Sequence, residues 1–267
     1  MKLARIVVAV DNSDASREAA RSAARIATQS GGALTVLTVA PGVGAPGSGT
    51  ATPPDLLEAS LGRDFFAGFP TLSVEVAGVY GLPQVEIGRY AEHCKADLVV
   101  LGRKSRSRAT RIFLGDTADA VLRRSRIPCL LVPPGQGNSR HVMAALDGTD
   151  RGLMVYEHAA SFAKTCSMSF GAVTVEPRWQ GEPQALAQQV WSTRSERLAT
   201  RIADKRDLLH VRQGEAVDEI VAEIGAVGAD VLVLGFHRGG PALVVESGSV
   251  SRKLVHAAPC AVLTVPF

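Results

Sequence analysis

The chain has 267 residues, of which 46% are hydrophobic and 21% are charged, and its formal net charge at pH 7 is +3. This composition supports two ordinary domains with full cores and excludes intrinsic disorder as the general state of the chain. The small net charge argues against nucleic acid as the main partner, and no apolar stretch approaches the ~20 residues of a membrane-spanning helix.

Short apolar runs alternate with helix-forming segments through the first half. Residues 4–10 are typical of a buried strand that ends at Asp11, and the alanines between 19 and 27 indicate a helix packed closely on a sheet. The apolar start carries no cleavage pattern, so we expect no signal peptide and a cytoplasmic protein. Further strands are predicted over 34–39, 72–76, 98–101 and 128–132. One helix is predicted to start at residue 83 and another to cover 116–124.

Residues 41–54 are rich in glycine, proline and serine and are predicted to form a loop. Gly42, Gly44 and Gly47 match the dinucleotide-binding pattern GxGxxG, but no helix begins directly behind them. The loop interpretation is therefore favoured.

The second half repeats this order after a proline-stiffened linker at 133–137. Strands are predicted over 141–146, 168–175, 208–211, 231–234 and 259–265, and helices up to about 163 and over 183–204 and 214–227. We expect two domains, residues 1–136 and 137–267, each an α/β unit with a doubly wound, Rossmann-like parallel sheet of five strands.

An internal repeat links the two halves, because the stretch 230–250 has an echo at 97–117. Three residue pairs lie 133 positions apart: Asp97 and Asp230, Gly102 and Gly235, and Gly115 and Gly248. A glycine after a buried strand, followed by a helix start, is typical of an anion site in an α/β sheet. Asp11 and Asp147 each end the first strand of a half, where a carboxylate can bind a ribose hydroxyl or shape the next helix start.

Both halves resemble universal stress protein domains, and the whole chain resembles the tandem form of that family. The family's nucleotide-binding branch has a signature of glycine, two residues, glycine, nine residues, glycine and then serine or threonine. The matching positions are Gly102, Ser105, Gly115 and Asp116 in the first half and Gly235, Arg238, Gly248 and Ser249 in the second. The resemblance implies an intramolecular pseudo-dimer whose fifth strands pair antiparallel, and a regulatory role in the stress response.

The departures from the signature favour the second half as the ATP site. Asp116 places a carboxylate where a hydroxyl should donate to phosphate, so the first half is expected to bind ATP poorly or not at all. Arg238 either clamps a phosphate or remains a solvated loop residue. The predicted second site consists of Asp147, Leu234, Gly235, Arg238, Gly248, Ser249 and Val250; the weaker first site consists of Asp11, Gly102, Ser105 and Gly115.

The expected ligand is ATP or another small anion, with Mg²⁺ bound only together with the nucleotide. The alternative is a universal stress protein that binds no nucleotide and acts through a protein partner or another small ligand. No general base has a reason to be activated, so at most slow ATP hydrolysis is expected. The partner, the stress and the formation of a homodimer stay open.

A basic run also lies in the loop of the first half, at Arg103, Lys104, Arg106, Arg108 and Arg111. Such a run could engage an anionic partner, but it is more typical of a solvated loop face. We therefore expect these side chains to be exposed.

Overall fold

The computed structural model describes residues 1–40, 61, 65–103, 105–106, 111–112, 115–178, 193, 196, 198, 200, 209–237 and 250–267. The strands in these ranges are β1 Arg5–Val10, β2 Ala33–Ala40, β3 Val74–Tyr80, β4 Leu98–Gly102, β5 Ser105–Arg106, β6 Arg111–Ile112, β7 Cys129–Val132, β8 His141–Leu146, β9 Ser169–Glu176, β10 Leu209–Gln213, β11 Val231–Phe236 and β12 Ala261–Pro266. The helices are α1 Asp14–Ser30, α2 Pro83–His93, α3 Asp116–Arg124, α4 Asp150–Thr165, α5 Ala216–Val227 and α6 Val250–Ala257.

Ten of these strands form one sheet in the order β10-β9-β8-β11-β12-β7-β4-β1-β2-β3. Neighbouring strands within each half are parallel, whereas β7 and β12 pair antiparallel, with Leu131 opposite Val262 and Leu130 opposite Leu263. The predicted fold class and the antiparallel pairing of the fifth strands are therefore confirmed. The exact division between residues 136 and 137 stays a prediction.

Helices cover both faces of this sheet, which is why the central strands are apolar on both sides. One core cluster contains residues of α1 and α4, and the other contains residues of α2, α3, α5 and α6. Helix α1 approaches the sheet closely because its inward stripe is alanine, with Ala19, Ala20, Ala23 and Ala24 fully buried. The helix begins behind Ser13, whose side chain accepts from the Ser16 amide, and ends at Gly31 in the left-handed conformation.

The predicted third strand, 72–76, was wrong at both ends. Strand β3 begins at Val74 and continues to Tyr80, because residues up to Tyr80 pair with β2 up to Ala40. The two-residue strands β5 and β6 form an antiparallel hairpin that was not predicted. The predicted loop at 41–54 lies outside the described residues, as does most of the predicted helix at 183–204, where residues 193, 196, 198 and 200 are helical.

The prediction that Arg103 is solvated was wrong, because this side chain is completely buried. Its guanidinium donates to the carbonyl oxygens of Val255 at 2.7 Å, Ala258 at 2.8 Å and Cys260 at 2.7 Å, where α6 of the other half ends. Helix ends present unpaired carbonyls that attract a cation. Burial lowers the pKa of Arg103 to about 10. For Lys104, Arg106, Arg108 and Arg111, whose side chains lie outside the described part, exposure stays a prediction.

Candidate functional site

A cavity of about 190 Å³ lies at the carboxyl ends of β8 and β11. From β8 the chain continues through β9 to β10 on one side of the half-sheet, and β11 and β12 occupy the other side. The cavity therefore lies at the point where the strand order reverses, which is the usual ligand position in open α/β sheets. Of the predicted site, Asp147, Leu234, Gly235 and Val250 line this cavity. Arg238, Gly248 and Ser249 lie outside the described residues.

Asp147 organises the turn that starts α4. Its Oδ1 accepts from the Thr149 amide at 3.0 Å and the Thr149 hydroxyl at 2.7 Å, and Thr149 in turn accepts from the Gly152 amide at 3.3 Å. A Cβ added to Gly152 would lie 2.7 Å from Asp147 Oδ1, so the glycine lets the carboxylate approach the helix. Asp147 is exposed, and no hydrogen bond to its Oδ2 is present among the described residues.

Asp11 forms the same turn in the first half. Its Oδ1 accepts from the amide of Ser13 at 3.0 Å and from the Ser13 hydroxyl, and Ser13 caps α1. In both halves, the N-cap residue of the helix lies two positions after the aspartate. The carboxylates at the strand ends thus hold the turn with one oxygen.

The lining of the second cavity also includes residues that the site prediction did not contain, among them Arg151, His237 and Phe267. Arg151 Nη1 lies 3.2 Å from His237 Nε2, and the Arg151 guanidinium lies 5.9 Å from the centre of the Phe267 ring. A guanidinium has only donors, so the ring nitrogen accepts in this contact. The sequence signal for Arg151 was its position in the first turn of α4, four residues after Asp147.

Gly235 lies beneath the Phe267 ring. A Cβ added to Gly235 would lie 2.5 Å from Phe267 Cε2 and 3.3 Å from a Val155 methyl carbon. The absence of a side chain at this signature position thus makes room for the ring.

The corresponding cavity of the first half, about 250 Å³, has a different charge. It is lined by Asp11, Gly102, Gly115 and Asp116, and none of its described lining residues is lysine, arginine or histidine. Gly102 has a structural role, because an added Cβ would lie 2.5 Å from the carbonyl carbon and oxygen of Ala15 in α1. Ser105 lies in β5, and its side chain lies outside the described part.

A sequence model of the universal stress protein family matches residues 2–133 and again residues 138–266. The chain belongs to the universal stress protein family. A universal stress protein of Methanocaldococcus jannaschii is 32% identical over 137 residues, which cover 48% of this chain and 81% of that protein.

Solved structures show the same fold over the whole of this tandem universal stress protein. A universal stress protein from Archaeoglobus fulgidus has a TM-score of 0.74 at 18% identity and covers 100% of this chain and 99% of that one. A chain from Pseudomonas aeruginosa has a TM-score of 0.71 at 15% identity and covers 99% and 93% of the two chains. At these identities the likeness concerns the fold alone.

Three of the four cysteines of this universal stress protein are buried. Cys129, Cys166 and Cys260 are buried, and burial raises their pKa values to about 12, 12 and 11, so the thiols stay protonated near neutral pH. Among the described residues, no three side chains of histidine, cysteine, aspartate or glutamate are grouped to hold a metal ion. None of the described helices combines the length and the apolar character needed to span a bilayer.

Proposed function

We propose that this universal stress protein binds an adenine nucleotide in its second half, at the cavity between the ends of β8 and β11. The observation that carries this proposal is the grouping of Asp147 with Arg151 and His237 around a cavity at the strand-order reversal. A carboxylate there can accept from a ribose hydroxyl, and a guanidinium can bind a phosphate.

The nucleotide would be divided between two parts of this site. The cavity of about 190 Å³ is smaller than the roughly 300 Å³ at which ligand pockets usually begin, so it would hold the nucleoside part. Leu146, Val155 and Ile220 give this part an apolar lining. The phosphates would extend toward the start of α6 at Val250, where backbone amides and the preceding Gly248 and Ser249 would receive them.

The first half would bind ATP more weakly because its cavity repels anions. Asp11 and Asp116 both line it, and no described cation compensates them. The second cavity has one carboxylate, Asp147, and has Arg151 beside it. Since phosphates carry negative charge, the difference favours the second half.

Through this site the protein would act as a regulator of the stress response, with Mg²⁺ bound only as the companion of the nucleotide. The described residues include no base with a reason to be activated, so we propose at most slow ATP hydrolysis. A second candidate is a role without nucleotide, through a protein partner or another small ligand. It is favoured by the Phe267 ring, which occupies the space above the signature glycine Gly235.

Calorimetric titration of ATP in the presence of Mg²⁺ tests the proposal. The wild type should bind ATP, and Asp147→Ala should weaken binding by about 10- to 100-fold, since hydrogen bonds to charged groups contribute roughly 1.5–3 kcal/mol. Asp11→Ala is the matched control, because it removes the same turn from the first half and should leave the affinity unchanged. Gly248→Asp should abolish binding by placing a carboxylate beside the phosphates.

Two outcomes would contradict the proposal. Absence of heat from the wild type at millimolar ATP would favour the role without nucleotide. A loss caused by Asp11→Ala and not by Asp147→Ala would place the nucleotide in the first half.

A further inference from the structure

A larger cavity, about 430 Å³, lies between the two halves and away from both strand-end sites. Its walls come from α1, from the end of α4 and from the linker that joins the halves, and its floor comes from β7, β11 and β12. It is about twice the volume of the cavity at the end of β11 and falls within the range of typical small-molecule pockets. Cavities between domains are frequent ligand sites.

The charged residues that line this cavity are both arginines. Arg25 projects from α1 and Arg140 from the end of the linker, and no aspartate or glutamate is among the described lining residues. Arg25 donates to the carbonyl oxygen of Gly137 at 3.2 Å. Neither arginine forms an ion pair with a carboxylate among the described residues. The cavity therefore offers positive charge to an anion.

A buried hydroxyl lies in the same wall. Ser22, one turn before Arg25 on α1, is 8% exposed, and its Oγ has no hydrogen-bond partner among the described residues. Buried polar atoms without a partner are uncommon in folded proteins. An oxygen of a bound molecule would give this hydroxyl a partner.

The floor of the cavity is apolar. Leu130 and Val132 of β7, Val231 of β11 and Ala261 of β12 form it, and Phe162 of α4 closes one side. This surface offers no side-chain hydrogen bond to the polar edge of a sugar or base. It suits a hydrocarbon body, which gains by leaving water.

We propose that the cavity between the two halves binds a small amphipathic carboxylate. The apolar body lies on the floor of Leu130 and Val132 beside Phe162, and the carboxylate faces Arg25 and Arg140. This site is separate from the proposed nucleotide site and does not depend on it. Because both halves contribute to the walls, the ligand stabilises their arrangement in the folded state.

Octanoate is the probe for this site, and octan-1-ol is its neutral counterpart of equal chain length. Calorimetry on the full chain should give octanoate at least about tenfold higher affinity than octan-1-ol, since a carboxylate gains charge-assisted hydrogen bonds. The double variant Arg25→Gln and Arg140→Gln should remove this preference. Arg21→Gln, one turn earlier on α1 and outside the cavity lining, should keep it.

Amide resonances locate the ligand independently of the variants. Octanoate should shift the signals of Ser22, Gln136 and Cys166, which line the cavity, and leave those of Asp147 and Arg151 in place. Equal affinities for octanoate and octan-1-ol, or shifts confined to Asp147 and Arg151, would overturn the proposal. Retention of the preference in a folded double variant would overturn it as well.

Discussion

Gly152 determines how closely the Asp147 carboxylate approaches α4, because the Cβ of an alanine would lie 2.7 Å from Asp147 Oδ1. We expect Gly152→Ala to turn the carboxylate away from its present position and to weaken ATP binding by about tenfold, the equivalent of one hydrogen bond. Stability should change by less than about 1 kcal/mol, since the gain in helix propensity offsets the displaced side chain. Calorimetry and urea unfolding measure the two effects.

Gly225 provides the control for this substitution. It lies in α5 with nothing within 4 Å of an added Cβ, so Gly225→Ala should stabilise the protein by roughly 0.4–1 kcal/mol and leave ATP binding unchanged. Equal ATP affinities of Gly152→Ala and Gly225→Ala would contradict the role given to Gly152.

The signature glycines Gly102 and Gly235 occupy matching positions but have different neighbours. A Cβ at Gly102 would lie 2.5 Å from backbone atoms of Ala15, whereas a Cβ at Gly235 would meet the Phe267 ring. A ring can rotate aside, but a strand and a helix must move apart as units. Gly102→Ala should therefore destabilise by about 3 kcal/mol and Gly235→Ala by about 1 kcal/mol. Urea unfolding of both variants compares them, and the reverse order would contradict this explanation.

Residue types at strand ends could be predicted from the sequence, but their neighbours could not. Asp11 and Asp147 follow apolar runs and are recognisable from position alone. Phe267 meets Gly235 across 32 positions of the chain, and Arg151 meets His237 across 86. Contacts of this kind depend on how the helices pack on the sheet, which local sequence patterns do not specify.

At the scale of elements, α5 is joined to the edge strand β10 by a buried carboxylate. Glu223 has only 1% of its side chain exposed and binds His210 and Arg212 of β10. Burial opposes ionisation of Glu223, but the hydrogen bonds from His210 and Arg212 outweigh it and hold its pKa below the usual 4.5. The charged form therefore stabilises the fold.

This lowered pKa has a predictable effect on stability against pH. The contribution of Glu223 is fully present above its ordinary pKa of 4.5 and is lost as the pH falls below 4.5 through the lowered value. Glu223→Gln should make the free energy of unfolding less dependent on pH in this acid range. Urea unfolding over a pH series measures the slope.

Glu86→Gln is the matched control. Glu86 pairs with Arg89, which is 72% exposed, and such pairs contribute about 0–1 kcal/mol. An identical acid dependence of Glu223→Gln and the wild type would contradict the assignment.

Most strands of the sheet were predictable from the sequence to within a residue or two, but the edge strand β3 was not. Strand β4, buried at four of its five residues, was predicted over 98–101 and spans Leu98–Gly102. Strand β3 is exposed at four of its seven residues and contains Gly78, so its apolar pattern is weak. The sequence therefore predicted both of its ends incorrectly. An apolar sequence pattern reflects the burial of side chains, and an edge strand buries fewer of its residues.

At the scale of the whole molecule, Arg103 connects the two halves beside the β7–β12 pairing. Replacing it with methionine keeps an apolar chain of similar length but leaves three buried carbonyl oxygens without their donor. We expect Arg103→Met to lower the free energy of unfolding by about 3 kcal/mol. Urea unfolding measures this loss. Arg124 is exposed, so the control variant Arg124→Met should unfold with a free energy within about 0.5 kcal/mol of the wild-type value. A loss below about 1 kcal/mol from Arg103→Met would contradict the role.

The internal repeat indicated that Arg103 is buried, although its position in a basic run suggested exposure. The residue 133 positions later is Phe236, which is also buried. The repeat thus predicted two similar halves, and the family resemblance predicted the pairing of their fifth strands, but neither predicted the cavity between the halves. That cavity combines α1, the linker and α4, and its volume depends on how these parts pack.

The antiparallel pairing of β7 with β12 cannot form until the ribosome has made both strands. About 130 residues separate the two strands, and at roughly 5–20 residues per second the ribosome needs about 6–26 s to make them. During that interval the first half carries an open strand edge of Cys129–Val132, and Arg103 has none of its carbonyl partners. Open apolar edges promote aggregation. A nascent chain stalled before residue 261 would be a client for chaperones, whereas a chain that includes β12 covers that edge.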